Sequence, residues 1–153
     1  MSTEGKELDD RVALVTGAGR NIGRAIALEL AAAGAAVVVN ARSNQAEADE
    51  VVRAIESAGG RAAAALADVT DRSAVDTMAA LALARFGRLD ILVNNAALRR
   101  ETPLDSMTYE EWREITGSVL DGAFHCVQAC LPALKASGQG AIVNLGGDRK
   151  SVV

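Results

Sequence analysis

The chain has 153 residues, half of them apolar and 24% charged, with a net charge of −4 and a mean hydropathy of +0.14. This is one domain with enough chain for a core, and it excludes a disordered chain or one held on nucleic acid mainly by phosphate contacts. Ala supplies 31 residues while Phe, Trp and Tyr together supply four, a profile suited to close packing of helices on a sheet.

Residues 1–10 are polar, lack the apolar core of a secretory signal, and are expected to be flexible. The apolar run 12–16 ends at Gly17 and predicts a buried strand. From 22 to 33 the period becomes helical, with Ile22, Ile26 and Leu30 on one stripe, and Gly34 is a stop. A second strand is expected at 37–40. A helix follows at 44–58, capped by Asn44 or Ser43, with Val51, Val52 and Ile55 inward and Gly59-Gly60 at its end. A third strand is expected over 61–69, then a helix capped by Asp71 that runs to Phe86. The fourth strand is expected at 89–94.

A loop over 95–107 precedes Thr108 and Glu111, whose spacing is that of a capping box. The helix that opens there carries Leu120, Phe124, Val127, Leu131 and Leu134 at steps of 4, 3, 4 and 3. That stripe is expected to be mostly core. Pro132 predicts a kink or an early end. A turn at 137–140 leads to a fifth strand, 141–145, with no covering helix after it. No apolar run approaches the ~20 residues of a membrane span. Apolar strands alternating with helices imply a parallel sheet covered on both faces, hence a doubly wound α/β fold. About five strands, an incomplete version of that fold, are expected.

Chemistry is concentrated in Val15-Thr-Gly-Ala-Gly-Arg-Asn-Ile-Gly-Arg24, which leaves the first strand and opens the first helix. Gly17 permits the tight turn, and Gly23 lets the helix start lie bare so that its free N–H groups can meet a phosphate. Asn21 tolerates a left-handed backbone. Asp68-Val69, Asn94-Asn95-Ala96-Ala97, Pro103-Leu104, Glu111-Trp112, Gly122-Ala-Phe124 and Gly140-Ala-Ile-Val-Asn144 follow in order. On these residues the chain resembles the short-chain dehydrogenase/reductase family, in its 3-oxoacyl-carrier-protein-reductase-like branch, from residue 11 to about 147. Asn21 stands where the family's motif has its middle glycine. The resemblance implies a Rossmann domain over 11–147 that binds a nicotinamide dinucleotide.

It further implies a role for each matched position. Gly17, Gly19, Arg20, Asn21, Ile22 and Gly23 would hold the pyrophosphate end. Asp68 would accept from the adenine amino group, with Val69 on the ring. Asn95 and Ala96 would lie along the ribose, where Ala97 adds a methyl in place of the family's glycine. Ala41 stands where NAD-using relatives carry an acid, and Arg42 beside it can pair with a 2′-phosphate, with Arg20 a second cation. NADP(H) is therefore expected over NAD(H), with a small-molecule substrate in the complete parent. A homo-oligomer formed through helix 108–135 and a cytoplasmic location are also expected, with no nucleic-acid or membrane partner.

The family reduces a carbonyl with an Asn, a Ser, a Tyr and a Lys. Register on Trp112 and Gly122 puts the Asn position at Val119, and register on Ile142 puts the Ser position at Gly147. The Tyr and Lys positions lie beyond the given sequence, so no catalytic residue is assigned and the chain itself is expected to be inactive. A pseudoenzyme or non-catalytic binding module is the alternative. His125 is read as a packed helix residue. Cys126 and Cys130 are read as packing groups, since no acid or second His completes a metal site. Residues 148–153 leave the family pattern and can be back-translated as the start of a short-read sequencing adapter, with a frameshift or a naturally short protein as the alternative. They are expected to be a non-native tail.

Overall fold

The run of Val and Ala in the strands has no polar face to offer water, so each strand must be covered above and below. The computed structural model, which describes residues 5–146, forms a five-stranded parallel sheet in the order β3-β2-β1-β4-β5, which meets that requirement for its three inner strands and leaves the last strand exposed. The strands are β1 (Val12–Val15), β2 (Ala36–Ala41), β3 (Arg61–Leu66), β4 (Ile91–Asn94) and β5 (Ala141–Asn144). Every neighbouring pair is parallel, with Val12 opposite Ala36 and Leu14 opposite Leu92.

Helices α1 (Asn21–Ala32) and α2 (Gln45–Ser57) pack on one face, closing a cluster around Val37, Val39, Val51 and Ile55. Helices α3 (Arg72–Phe86) and α5 (Gly122–Ala136) close the other around Leu14, Val38, Met78 and Leu92. The chain winds outward from β1 through β2 to β3, then returns to β4 on the other side of β1. The doubly wound α/β fold is thus present. The gap between the ends of β1 and β4 is its topological switch point.

Local chemistry sets the helix starts. The side chains of Asn44 and Asp71 accept from the backbone N–H groups of Glu47 and Ala74, and Thr108 with Glu111 forms the full capping box of α4 (Tyr109–Thr116). At the N-terminus, Leu8 N–H donates to the Ala33 carbonyl at 2.8 Å, tying the turn over residues 7–10 to the end of α1.

The structure corrects or refines several expectations. The third strand ends at Leu66 rather than residue 69, which leaves 67–70 as a loop. The helix expected over 108–135 runs without a break from Tyr109 to Ala136, but it carries one π turn, Gly117–Asp121, between α4 and α5. Pro132 does not end α5, which runs on to Ala136, and the π turn lies well before it. Of the stripe Leu120, Phe124, Val127, Leu131 and Leu134, Leu134 is buried and Val127 packs against the core, but Leu120, Phe124 and Leu131 face outward. Leu120 and Phe124 are 65% and 60% exposed, while Gly122, Cys126, Cys130 and Leu134 are buried. Likewise α1 buries Gly23, Ala27 and Ala31, with Ile22 exposed and Ile26 and Leu30 at the flanks, and α2 buries Ala48 with Val51 and Ile55, Val52 packing partly buried beside them. The physical reason is common to these helices. Where a helix lies close on a sheet, the smallest side chains occupy the contact and bulkier ones flank it.

At the base of the sheet, Asp90 is fully buried and accepts from the Val12 N–H and from both prongs of the Arg88 guanidinium, at 2.7–2.9 Å. Burial alone would raise its pKa. The Arg88 hydrogen bonds, the Val12 N–H and the charges of Arg88 and Arg11 outweigh that and hold it below the usual carboxylate range. Strand β5 is one edge of the sheet, opposite β3, and its Ile142 and Val143 are exposed. Residues 148–153, expected to be a non-native tail, and Gly147 lie outside the described residues.

Candidate functional site

A cleft of about 830 Å³ opens over the carboxyl ends of β1, β2, β3 and β4. This is the place where open α/β sheets bind ligands, and the size suits a cofactor. The loop from Gly17 to Gly23 forms its floor. Gly17 has φ +60°, and a Cβ there would lie 3.0 Å from the Ala96 Cα. At Gly23 a Cβ would lie 2.2 Å from the Gly17 carbonyl oxygen and 2.5 Å from Asn95 Nδ2. Neither position admits a side chain without displacing backbone. Asn21 has φ +50°, the left-handed conformation for which Asn is suited. Arg20, the residue before α1, makes no side-chain cap, so no side chain covers the first N–H groups of that helix. Bare N–H groups at a helix start, on a loop with no side chain in the way, are what a phosphate requires.

Polar side chains pin this floor. Thr16, fully buried, donates from Oγ1 to the Val93 carbonyl and accepts from the N–H groups of Asn95 and Ala96 at 3.0 and 2.9 Å. Asn95 Nδ2 donates to the carbonyls of Thr16 and Gly17. Asn40, also buried, accepts from the Gly17 N–H at 3.1 Å and donates to the carbonyls of Ala65 and Ala67. The end of β2 and the loops after β1, β3 and β4 are thus cross-tied by three side chains. The sequence reading assigned no such role to Thr16 or Asn40. An Asn closing the apolar run Val37–Val39 was the available signal, since a polar group in a buried strand needs partners.

The opposite wall carries charge. Arg42 Nε donates to Asp68 Oδ2 at 3.0 Å, and Asp68 Oδ1 accepts from the hydroxyl and the N–H of Thr70. Burial raises the Asp68 pKa, but the Thr70 bonds and then Arg42 outweigh it, so the carboxyl stays below its ordinary range. All eleven residues singled out from the sequence line this one cleft: Gly17, Gly19, Arg20, Asn21, Ile22, Gly23, Arg42, Asp68, Val69, Asn95 and Ala96. Ala41, Glu47, Thr70, Arg99 and Arg100 line it as well. Arg100 is paired with Glu114 at 2.7 Å.

Other candidates fall elsewhere. The His125 Nδ1–H donates to the Val69 carbonyl at 3.0 Å, which joins α5 to the loop after β3. Cys126 and Cys130 are buried free thiols, their pKa values pushed up by burial to about 11 and about 12. Among the described residues no cluster of His, Cys, Asp or Glu could hold a metal, and no helix is long and apolar enough to cross a membrane. Val119 sits in the π turn and offers neither donor nor acceptor.

Comparison with known proteins bears on the same span. The family model for short chain dehydrogenases matches residues 11–149. The 3-oxoacyl-[acyl-carrier-protein] reductase FabG of Staphylococcus aureus strain Mu50 is 41% identical over 133 residues, 87% of this chain and 54% of the relative. The 3-oxoacyl-[acyl-carrier-protein] reductase of Synechocystis is 42% identical over 138 residues, covering 90% and 56%. The FabG of Staphylococcus epidermidis strain RP62A is 38% identical over 136 residues, covering 89% and 56%. The chain therefore spans about half the length of these curated relatives. A glycine cradle at the switch point of a doubly wound sheet and a family match over most of the sequence agree: the chain belongs to the short-chain dehydrogenase family.

Proposed function

We propose that this chain is the cofactor-binding portion of an oxidoreductase and that it takes NADP(H) in preference to NAD(H). The observation that carries the preference is the wall after β2, where Ala41 supplies no acid and Arg42 lines the cleft beside it, with Arg20 on the facing loop. An acid at that position would repel a 2′-phosphate, and a guanidinium attracts one with paired hydrogen bonds. In this reading the loop from Gly17 to Gly23 holds the pyrophosphate, Asp68 and Val69 meet the adenine, and Asn95 and Ala96 run along the second ribose. Bound there, the nicotinamide would supply the hydride for reducing a carbonyl, or accept one from an alcohol.

The substrate is a small molecule taken by the complete parent; the relatives named as 3-oxoacyl-[acyl-carrier-protein] reductases support a carbonyl as its reacting group. Val119 at the family's Asn position supports an inactive chain, and it favours a second reading, a pseudoenzyme or binding module without catalysis. The apolar side chains of Leu120, Phe124 and Leu131, which face outward along the α4–α5 arm, support a homo-oligomer through residues 108–135. The location proposed is cytoplasmic.

Titration of the chain with NADPH and NADH, followed by nicotinamide fluorescence, tests the preference. NADPH is expected to bind more tightly, and R42A to lose about tenfold for NADPH alone. Equal affinity for both nucleotides, unchanged by R42A, would overturn the preference.

A further inference from the structure

We infer that Glu47 sets how strongly the cleft favours a phosphorylated ribose, an inference that rests on the dinucleotide reading above. Ala41 removes the acid from the end of β2, but the chain brings another back six residues later. Asn44 caps α2 by accepting from the Glu47 N–H at 3.2 Å, which fixes Glu47 in the first turn of that helix. A Cβ built on Gly19 would lie 3.2 Å from the Glu47 Cβ, 3.4 Å from its Oε2 and 3.6 Å from the Ala41 Cβ. Gly19, Ala41 and Glu47 therefore meet at one point on the cleft wall. Among the described residues, no hydrogen bond or ion pair holds the Glu47 carboxylate.

The charges around this point oppose one another. Arg20 and Arg42 line the same wall, and Arg42 already shares its charge with Asp68 at 3.0 Å. The carboxylate of Glu47 accepts hydrogen bonds from free ribose hydroxyls and repels a phosphate in their place. The residue thus works against the two arginines. It keeps NAD(H) within reach of a site whose strand-end chemistry favours NADP(H).

Calorimetric titration of the full chain with NADP⁺ and NAD⁺ reads this directly, as the ratio of the two affinities. E47Q keeps the shape and the helix-start compatibility of Glu47 but removes the charge. It should raise the ratio in favour of NADP⁺ about tenfold, or about 1.4 kcal/mol. E47K should raise it further, and both gains should shrink as ionic strength rises. Thermal melts of both variants establish that they remain folded. If the wild type binds both nucleotides and both folded variants leave the ratio within about twofold, the role of Glu47 falls while the dinucleotide reading stands. If the folded wild type binds neither nucleotide, that reading falls and takes this inference with it.

Discussion

Replacing Gly23 by Ala sets three effects against one another. Alanine is the better helix former and would contribute up to about 1 kcal/mol inside α1. Against it, the new methyl would lie 2.2 Å from the Gly17 carbonyl oxygen and 2.9 Å from the Gly17 carbonyl carbon. Those are backbone atoms and cannot rotate aside, so overpacking takes the upper part of its usual range, about 3 kcal/mol. The methyl would also lie 2.5 Å from Asn95 Nδ2, which donates to Gly17 at 3.1 Å. Losing that hydrogen bond costs about 1 kcal/mol more. The sum is a destabilisation of about 3 kcal/mol, a fall in melting temperature of roughly 6–12 °C for a chain of this size. The cradle would open with it, so nucleotide binding should fall at temperatures where the variant is still folded. Urea and thermal melts, with an NADPH titration on the folded variant, measure both. A G23A variant as stable as the wild type, with unchanged affinity, would refute the steric argument for the loop.

Three further outcomes follow from other parts of the structure. D90N should destabilise the fold by about 1–3 kcal/mol at pH 7, because it removes a charged partner from a buried hydrogen-bonded group. A carboxyl whose pKa is depressed by folding contributes stability above its unfolded pKa and loses it as pH falls through the folded value. Acid melts of wild type and D90N should therefore begin to converge only below about pH 4 and meet once the pH is under the depressed folded value. Cys126 and Cys130, raised to about 11 and about 12, should resist alkylation at pH 7.5 until the chain is unfolded, and rapid labelling of the native chain would contradict their burial. L120K and F124E alter side chains 65% and 60% exposed, so they should change stability by less than about 0.5 kcal/mol. Both should abolish self-association in sedimentation, and persistence of the oligomer would place its interface elsewhere.

The element order, the caps at Asn44, Asp71 and Thr108, and the cradle from Gly17 to Gly23 were legible because each depends on local chemistry. Turn, cap and glycine signals act over three or four residues. The left-handed Asn21 belongs to the same class. Burial along α1 and α5 was not legible, since hydrophobicity alone points to Ile22, Leu120 and Phe124. The sheet instead selects Gly23, Ala27, Gly122 and Cys126, because close approach is decided by volume. In α5 the methyls of Val69 illustrate the limit: a Cβ on Gly122 would lie 2.5 Å from one of them. The π turn was hidden too, since Gly117–Asp121 carries no proline to announce an irregular turn. The candidate site was readable as a list of residues, but not as a network. The ties made by Thr16 and Asn40, and the pairing of Arg42 with Asp68, join residues 23 to 80 positions apart. Periodicity carries no information over that distance.

The central claim is that the loop from Gly17 to Gly23, with the bare start of α1, grips the pyrophosphate of a nicotinamide dinucleotide. Amide resonances of the isotope-labelled chain, followed during addition of NADP⁺, test it most directly. The account predicts saturable shifts at Gly17, Gly19, Asn21 and Gly23, with Val12, Arg88 and Asp90 at the far end of the sheet unmoved. Saturable shifts confined to other regions, or a folded chain whose spectrum NADP⁺ and NAD⁺ both leave unchanged, would contradict it.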